Sequence, residues 1–183
     1  NVDAWWKEIE REPVRAIVIN ASGCGTTVKD YGYMLRGDSA YADKAAKISE
    51  LAKDITEFIS EYDLGPPKRW SSLRVAYHSA CSLQHGQRVT DEPKMLLKKA
   101  GYTVLEVPEG HICCGSAGTY NILQPELAGQ LKARKQANIH SVKPDIVSAG
   151  NIGCITQLAS GLNVPIAHTA GRCRAGSTGS RVS

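Results

Sequence analysis

An α/β fold, a mostly parallel sheet flanked by helices, is what this sequence predicts. Three observations carry the prediction. Short β-branched apolar runs alternate with stretches of helical period. Each strand run is separated from the next by turn residues or one helical stretch, the alternation that produces parallel pairing. Proline near helix starts and glycine at a helix stop punctuate the pattern. The 183 residues suffice for one domain, or a small one plus a fragment, and 42% hydrophobic content can fill a core.

In chain order, N-V-D-A-W-W-K-E-I-E-R-E reads as an amphipathic helix end, and Val14–Ile19 as a buried strand running into the turn N-A-S-G-C-G. Asp43–Tyr62 has apolar residues at Ala46, Ile48, Leu51, Ala52, Ile55, Phe58 and Ile59, the period of one helix. Leu64-Gly65-Pro66-Pro67 ends it and begins a linker. Leu73–Tyr77 is the next strand, followed by the loop H-S-A-C-S-L-Q-H-G-Q. Glu92–Ala100 is a helix with Pro93 in its first turn and Gly101 as its stop. Tyr102–Val107 is a strand, Pro125–Val142 a helix and Asp145–Ala149 a strand. N-I-G-C-I-T-Q-L then opens a short helix, and Val164–His168 is the last strand.

An internal repeat aligns A-I-V-I-N-A-S-G-C-G-T-T, around Cys24, with I-V-S-A-G-N-I-G-C-I-T-Q, around Cys154. Residues 1–66 then read as the tail of a first, truncated unit with a helix and linker, and 67–170 as a complete second unit. Residues 171–183 read as a low-complexity tail, disordered or appended, in which Cys173 is incidental. Tyr31 and Tyr33 are expected to pack the first unit against the second, and helical Arg134 and Lys135 to face solvent.

The net charge of +4 comes from scattered residues, and Trp5, Trp6 and Trp70 are too dispersed for a stacking platform, so nucleic acid is not an expected partner. No run of 18 apolar residues is available to span a membrane. No export signal opens the chain, so a reducing, cytoplasmic setting is expected, at most peripheral to the inner face of the cytoplasmic membrane. The six cysteines should there be thiols or metal ligands.

Cys113 and Cys114 stand side by side in H-I-C-C-G-S, between a lone Cys81 and a lone Cys154. Adjacent cysteines bridge each other poorly but place two sulfurs at one centre. Each of the three stations follows a predicted strand, and loops at the carboxyl ends of parallel strands converge where sites form. Thiolates suit an iron–sulfur cluster or zinc. Gly115, Gly118 and Gly153 let backbone approach, and Cys154 at a helix start should have a lowered pKa. His78 and His111 share loops with the cysteines, as ligands, as donors to the sulfurs or as packed residues. Q-H-G-Q around His85 reads as a loop touching substrate or partner, and Tyr120 and Asn121 as caps of the site. Buried structural cysteines are the other reading of the same pattern, and no C-x-x-C occurs.

Cys81, the Cys113-Cys114-Gly115 run and Cys154 together resemble the cysteine-rich CCG domain. That domain occurs twice in a heterodisulfide reductase component, in lactate-utilisation iron–sulfur proteins, in a component of anaerobic glycerol-3-phosphate dehydrogenase and in the iron–sulfur subunit of glycolate oxidase. H-S-A-C-S-L-Q-H-G-Q, H-I-C-C-G-S-A-G-T-Y and N-I-G-C-I-T-Q-L are most similar to the last of these, over Leu73–His168. N-A-S-G-C-G-T-T-V-K-D-Y-G is similar to the end of the family's first CCG copy, with Cys24 as its remnant. The family's N-terminal ferredoxin-like part is missing from this sequence.

The resemblance implies an electron-transfer subunit of a glycolate or 2-hydroxy-acid dehydrogenase. It would take electrons from FAD on flavoprotein partner subunits and pass them toward a membrane acceptor, without breaking substrate bonds itself. Cys81, Cys113, Cys114 and Cys154 match cluster ligands, with His78, His111, Gly115 and Gln157 around them. Related proteins carry a further cysteine where Gln157 stands, and Thr27 in the first copy. A [4Fe–4S] cluster, or zinc on the same thiolates, is therefore implied rather than a five-cysteine non-cubane cluster. Two other functions remain open: a catalytic thiol–disulfide or quinone-linked CCG module of the heterodisulfide reductase type, and a structural docking module without metal.

Overall fold

The computed structural model describes residues 1–65 and 71–173. Two parallel sheets organise them. The first part opens with α1 (Val2–Arg11), then β1 (Ile17–Ile19), α2 (Ser22–Lys29), α3 (Tyr31–Met34), α4 (Ala42–Leu51), β2 (Ala52–Asp54) and α5 (Ile55–Ser60). β1 and β2 pair in parallel, Ile17 with Ala52 and Ile19 with Asp54. Val2, Val28, Ile48 and Ala52 form their core, with Trp5, Ile9, Tyr31 and Tyr41 against it.

The single helix expected over Asp43–Tyr62 is in fact two helices with β2 between them. The cause is a capping box. The Asp54 carboxylate accepts from the Thr56 N–H at 2.8 Å, and Glu57 Oε2 accepts from the Asp54 N–H at 2.7 Å. This D-I-T-E signature starts a new helix at Ile55 and frees residues 52–54 to pair with β1. Tyr31 and Tyr33 do not join the two parts as expected. Tyr31 lies 6.3 Å from the Trp5 ring within the first core, and Tyr33 is exposed beneath Arg36.

The second part contains β3 (Arg74–His78), a π-helical turn (Ser82–Gln87), α6 (Glu92–Lys99), β4 (Thr103–Glu106), α7 (Tyr120–Leu123), α8 (Pro125–Ser141), β5 (Ile146–Ala149), α9 (Ile152–Ala159), β6 (Ile166–His168) and α10 (Thr169–Arg172). Its strands run β4-β3-β5-β6, all parallel, the α/β architecture expected. The sheet is buried on both faces. Val75 and Tyr77 pack with Leu96 and Leu97 of α6, and Ala76 and Val147 with Ile139 of α8 and Leu158 of α9. β3 and β5 are accordingly apolar without interruption at Val75–Tyr77 and Ile146–Val147, as a two-sided sheet requires. Cys173, read from sequence as part of a loose tail, is buried in the Val75–Leu97 cluster. The rest of that predicted tail, 174–183, and much of the predicted linker, 66–70, lie outside the described residues.

The two parts are knitted by polar contacts. Ser22 Oγ lies 2.7 Å from Ser82 Oγ, Thr26 donates to the Ser82 carbonyl and Gln87 Nε2 donates to the Ser22 carbonyl. The Q-H-G-Q run read as a partner-touching loop is thus the π-helical turn that meets α2. His168, without a role in the sequence reading, caps α10 and places Nε2 2.7 Å from the Asn20 carbonyl.

Candidate metal centre

From β3 the chain crosses to β4 on one side, then returns to place β5 on the other. Loops leaving β3 and β5 diverge there and open a crevice at their carboxyl ends, the usual site position in an open parallel sheet. His78 ends β3, opposite Ala149 at the end of β5. Cys81 follows three residues later, and Cys154 is the third residue of α9. The loop after β4 brings Cys113 and Cys114 to the same place.

His78, Cys114 and Cys154 present ligand atoms all within 4.8 Å of one another, and all three are buried, at 2%, 1% and 2% exposure. Cys81 and Cys113 are half-buried, with sulfurs 4.0 Å apart. None of the six cysteines is in a disulfide. Cys113 Sγ accepts from the Gly115 N–H at 3.3 Å, and Cys154 Sγ from Asn151 Nδ2 at 3.7 Å.

The sulfurs share protons unequally. Donation from Cys114 and then from Cys81 pulls the Cys113 thiol down to about 2. Donation from Cys114, with help from His78 and Asn151, brings Cys154 down to about 5. Cys114 is raised by its bonds to Cys113 and Cys154 and by burial, and Cys81 by its bond to Cys113 and by burial. Negative charge thus settles more readily on Cys113 and Cys154, which accept from their neighbours, than on Cys114 and Cys81. Cys154 is lowered, as expected, with donation from its neighbour Cys114 the leading cause.

Backbone geometry holds the doublet. Gly115 has φ +87°, and a Cβ there would sit 2.4 Å from the Ala128 carbonyl of α8, so only glycine lets the doublet lie on that helix. The preceding turn is gripped by α8 as well. The Glu109 carboxylate accepts from Arg134 and Asn138, which hold it down to about 2, and its carbonyl accepts from Lys135 Nζ at 2.7 Å. Lys135 does not face solvent as expected; it is 1% exposed, whereas Arg134 is exposed. Periodicity would have found it, because Ala128, Lys135 and Ile139 fall on one buried stripe of α8.

Other predicted residues divide plainly. His78 stands among the ligand atoms rather than beside them. His111 is exposed, its carbonyl 3.2 Å from His85 Nε2. Gln157 accepts from Asn121 Nδ2 at 3.2 Å, so Asn121 secures α9 rather than capping sulfur. Tyr120 lies toward α8, lining a shallow cleft with Leu127, Leu131 and Arg134. Cys24 is exposed on α2, in the other part.

The donor set fits a soft metal centre: several sulfurs, two of them with lowered pKa, and a histidine whose buried Nε2 has no hydrogen-bond partner. His78, Cys114 and Cys154 form a partial Cys/His metal-ligating cluster.

The profile of the cysteine-rich domain, CCG, matches residues 75–159. The chain is similar to the glycolate oxidase iron–sulfur subunit of Escherichia coli (strain K12), 44% identical over 168 residues, covering 92% of this chain and 41% of that protein. It is 29% identical over 157 residues to the probable glycolate oxidase iron–sulfur subunit of Bacillus subtilis (strain 168), covering 81% of this chain and 34% of the relative. Lactate utilization protein A of Oceanobacillus iheyensis is 28% identical over 160 residues, covering 82% and 65% respectively. The chain thus spans less than two thirds of the length of each of these relatives.

Proposed function

Since the chain carries a CCG cysteine-rich domain homologous to that of a glycolate oxidase iron–sulfur subunit, we propose that it is an electron-transfer module of a 2-hydroxy-acid dehydrogenase assembly. Its partners would be flavoprotein subunits carrying FAD, and its acceptor would lie at a membrane, although among the described residues no helix is long and apolar enough to cross one. Residues 1–66 would be the tail of a first, truncated CCG copy with a helix and linker, and Cys24 its remnant. The observation that carries the proposal is the convergence of four sulfurs and His78 on one sheet crevice.

Cys81, Cys113, Cys114 and Cys154 would hold an iron–sulfur cluster, which stores and releases single electrons when bound. The protein's own part is to present the sulfurs and to cover them. Their neighbours favour ionisation of Cys113 and Cys154, while hydrogen bonding and burial oppose it at Cys81 and Cys114, which would release their protons on binding. The Gly115 N–H and Asn151 amide donate to sulfur, which raises a reduction potential. Buried Cys114 and Cys154 keep water from one side, and half-buried Cys81 and Cys113 leave a short path outward for an electron.

A mononuclear zinc centre on His78, Cys114 and Cys154 is the second reading, favoured by the close grouping of those three ligand atoms. Anaerobic reconstitution with iron and sulfide, followed by iron analysis and EPR after dithionite reduction, separates the two. A reducible cluster lost in both Cys113→Ser and Cys114→Ser is expected. Reconstituted protein that takes up no iron, with its thiols still free, would overturn the proposal.

A further inference from the structure

Lys135 is a buried cation with a single hydrogen bond, to a carbonyl rather than a carboxylate. Its helix offers no reason to bury it. The neighbouring turns carry Arg134 and Asn138, which already hold the Glu109 side chain. The Glu109 carbonyl does not need it either, because it also accepts from the Ile112 N–H at 3.0 Å. A buried ammonium is costly unless negative charge lies near it. Besides the Glu109 carboxylate, which Arg134 and Asn138 already engage, such charge can come from what this face of α8 packs against.

That surface is the cysteine loop. On the same stripe, Ala128 lies one side of Lys135 with its backbone against Gly115, and Ile139 lies on the other, in the core cluster that contains Cys114 and Cys154. The ammonium sits on the turn carbonyl four residues before Cys113. Burial pushes the lysine down, and the charges of Cys114, Glu109, Cys113 and Cys154 act in the opposite sense. Arg134 and Lys135, adjacent in sequence, thus divide their work: one clamps the Glu109 side chain at the surface, the other carries its charge inward.

We infer that Lys135 is the charge-compensating residue of the thiolate centre, a fixed cation in its wall that stabilises the negative charge of the sulfurs and of any metal they bind. The inference rests on the metal-centre reading above. Removing the cation should weaken metal binding and make a bound cluster harder to reduce, because the more negative states lose the most. It should not weaken the metal-free fold, since the lysine's own burial is a cost and the Glu109 carbonyl keeps the Ile112 N–H. A merely structural lysine predicts the reverse pair of effects.

The test uses the whole chain, with zinc as the probe, in Lys135→Met, Lys135→Gln and Lys135→Arg. Lys135→Met keeps length without charge; Lys135→Gln keeps a hydrogen-bond donor without charge. Both should lose zinc affinity by about tenfold or more, as groups supporting metal ligands do, while metal-free melting temperature holds or rises. Lys135→Arg should recover most of the affinity. After iron and sulfide reconstitution, the midpoint potential should move negative in the two neutral variants only. Zinc affinity within about twofold of wild type in Lys135→Gln, or a lowered metal-free melting temperature with affinity intact in the folded fraction, would overturn the inference. Wild-type protein that binds neither zinc nor iron would instead overturn the reading of the site itself, so the two failures are distinct.

Discussion

Two strand–turn–helix units in this molecule share one frame and differ in chemistry. β1 leads through two residues into α2, and β5 leads through two residues into α9. In each helix the second residue is glycine and the third is cysteine: Gly23 and Cys24 in one, Gly153 and Cys154 in the other. Each strand pairs in parallel with one that runs straight into a capped helix. Asp54 opposite Ile19 caps α5, and His168 opposite Ala149 caps α10. Yet Cys24 is exposed, whereas Cys154 is buried with His78 and Cys114. The local frame sets where a cysteine stands. What converges on it from other strands decides whether it is a ligand, and β3 and β4 supply that convergence only in the second unit.

The largest test of this contrast replaces each cysteine by serine. Cys154→Ser should reduce zinc affinity by on the order of 100-fold or more, beyond what outer residues of metal sites typically cost, while Cys24→Ser should leave it nearly unchanged. Competition titration with a zinc chelator measures both. Equal losses would mean that the two units share one centre, and the contrast would collapse.

Proton competition gives the next effect. Cys81 and Cys114 are raised above the ordinary thiol value, whereas donation from their neighbours lowers Cys113 and Cys154. The raised pair must lose protons to ligate, so binding through all four should release protons, with affinity falling as pH falls. Calorimetry in buffers of different ionisation enthalpy counts them. Release near zero would show that Cys81 and Cys114 do not ligate.

Much of this was legible in the sequence because it rests on period and spacing. The strand runs Leu73–Tyr77 and Asp145–Ala149, and the approach of the doublet to Cys81 and Cys154, follow from patterns of two to ten residues. The misplaced features depend on local signals overridden by a longer pattern, or on tertiary contact. The apolar period across Asp43–Tyr62 hid the capping box at Asp54 that breaks the helix. Lys135 was assigned to solvent by its charge, and only its position on the Ala128–Ile139 stripe contradicts that. His78 joins the ligand atoms because β3 and β5 pair in the register that sets it opposite Ala149, which spacing along the chain does not encode. His168 reaches Asn20 across 148 residues, a contact no local pattern announces.

The smallest test concerns the glycines beside the two cysteines. A Cβ at Gly23 would meet nothing within 4 Å, whereas one at Gly153 would come within 2.8 Å of Ser116 Oγ. Gly23→Ala should therefore stabilise by about 0.4–1 kcal/mol, through the reduced entropy of the unfolded chain. Gly153→Ala gains the same entropy, but the Ser116 hydroxyl must move, at a cost on the order of 1 kcal/mol if its rotamer is forced off its minimum. The net change in stability should be near zero. Because Ser116 follows Cys114 and Gly115 directly, that displacement should reach the sulfurs and lower zinc affinity a few-fold. Chemical denaturation and zinc titration of the two variants read the pair. If Gly153→Ala stabilised as much as Gly23→Ala with zinc affinity unchanged, the close seat of α9 on the cysteine loop would have no part in the site. The difference between the units would then lie in their side-chain ligands alone.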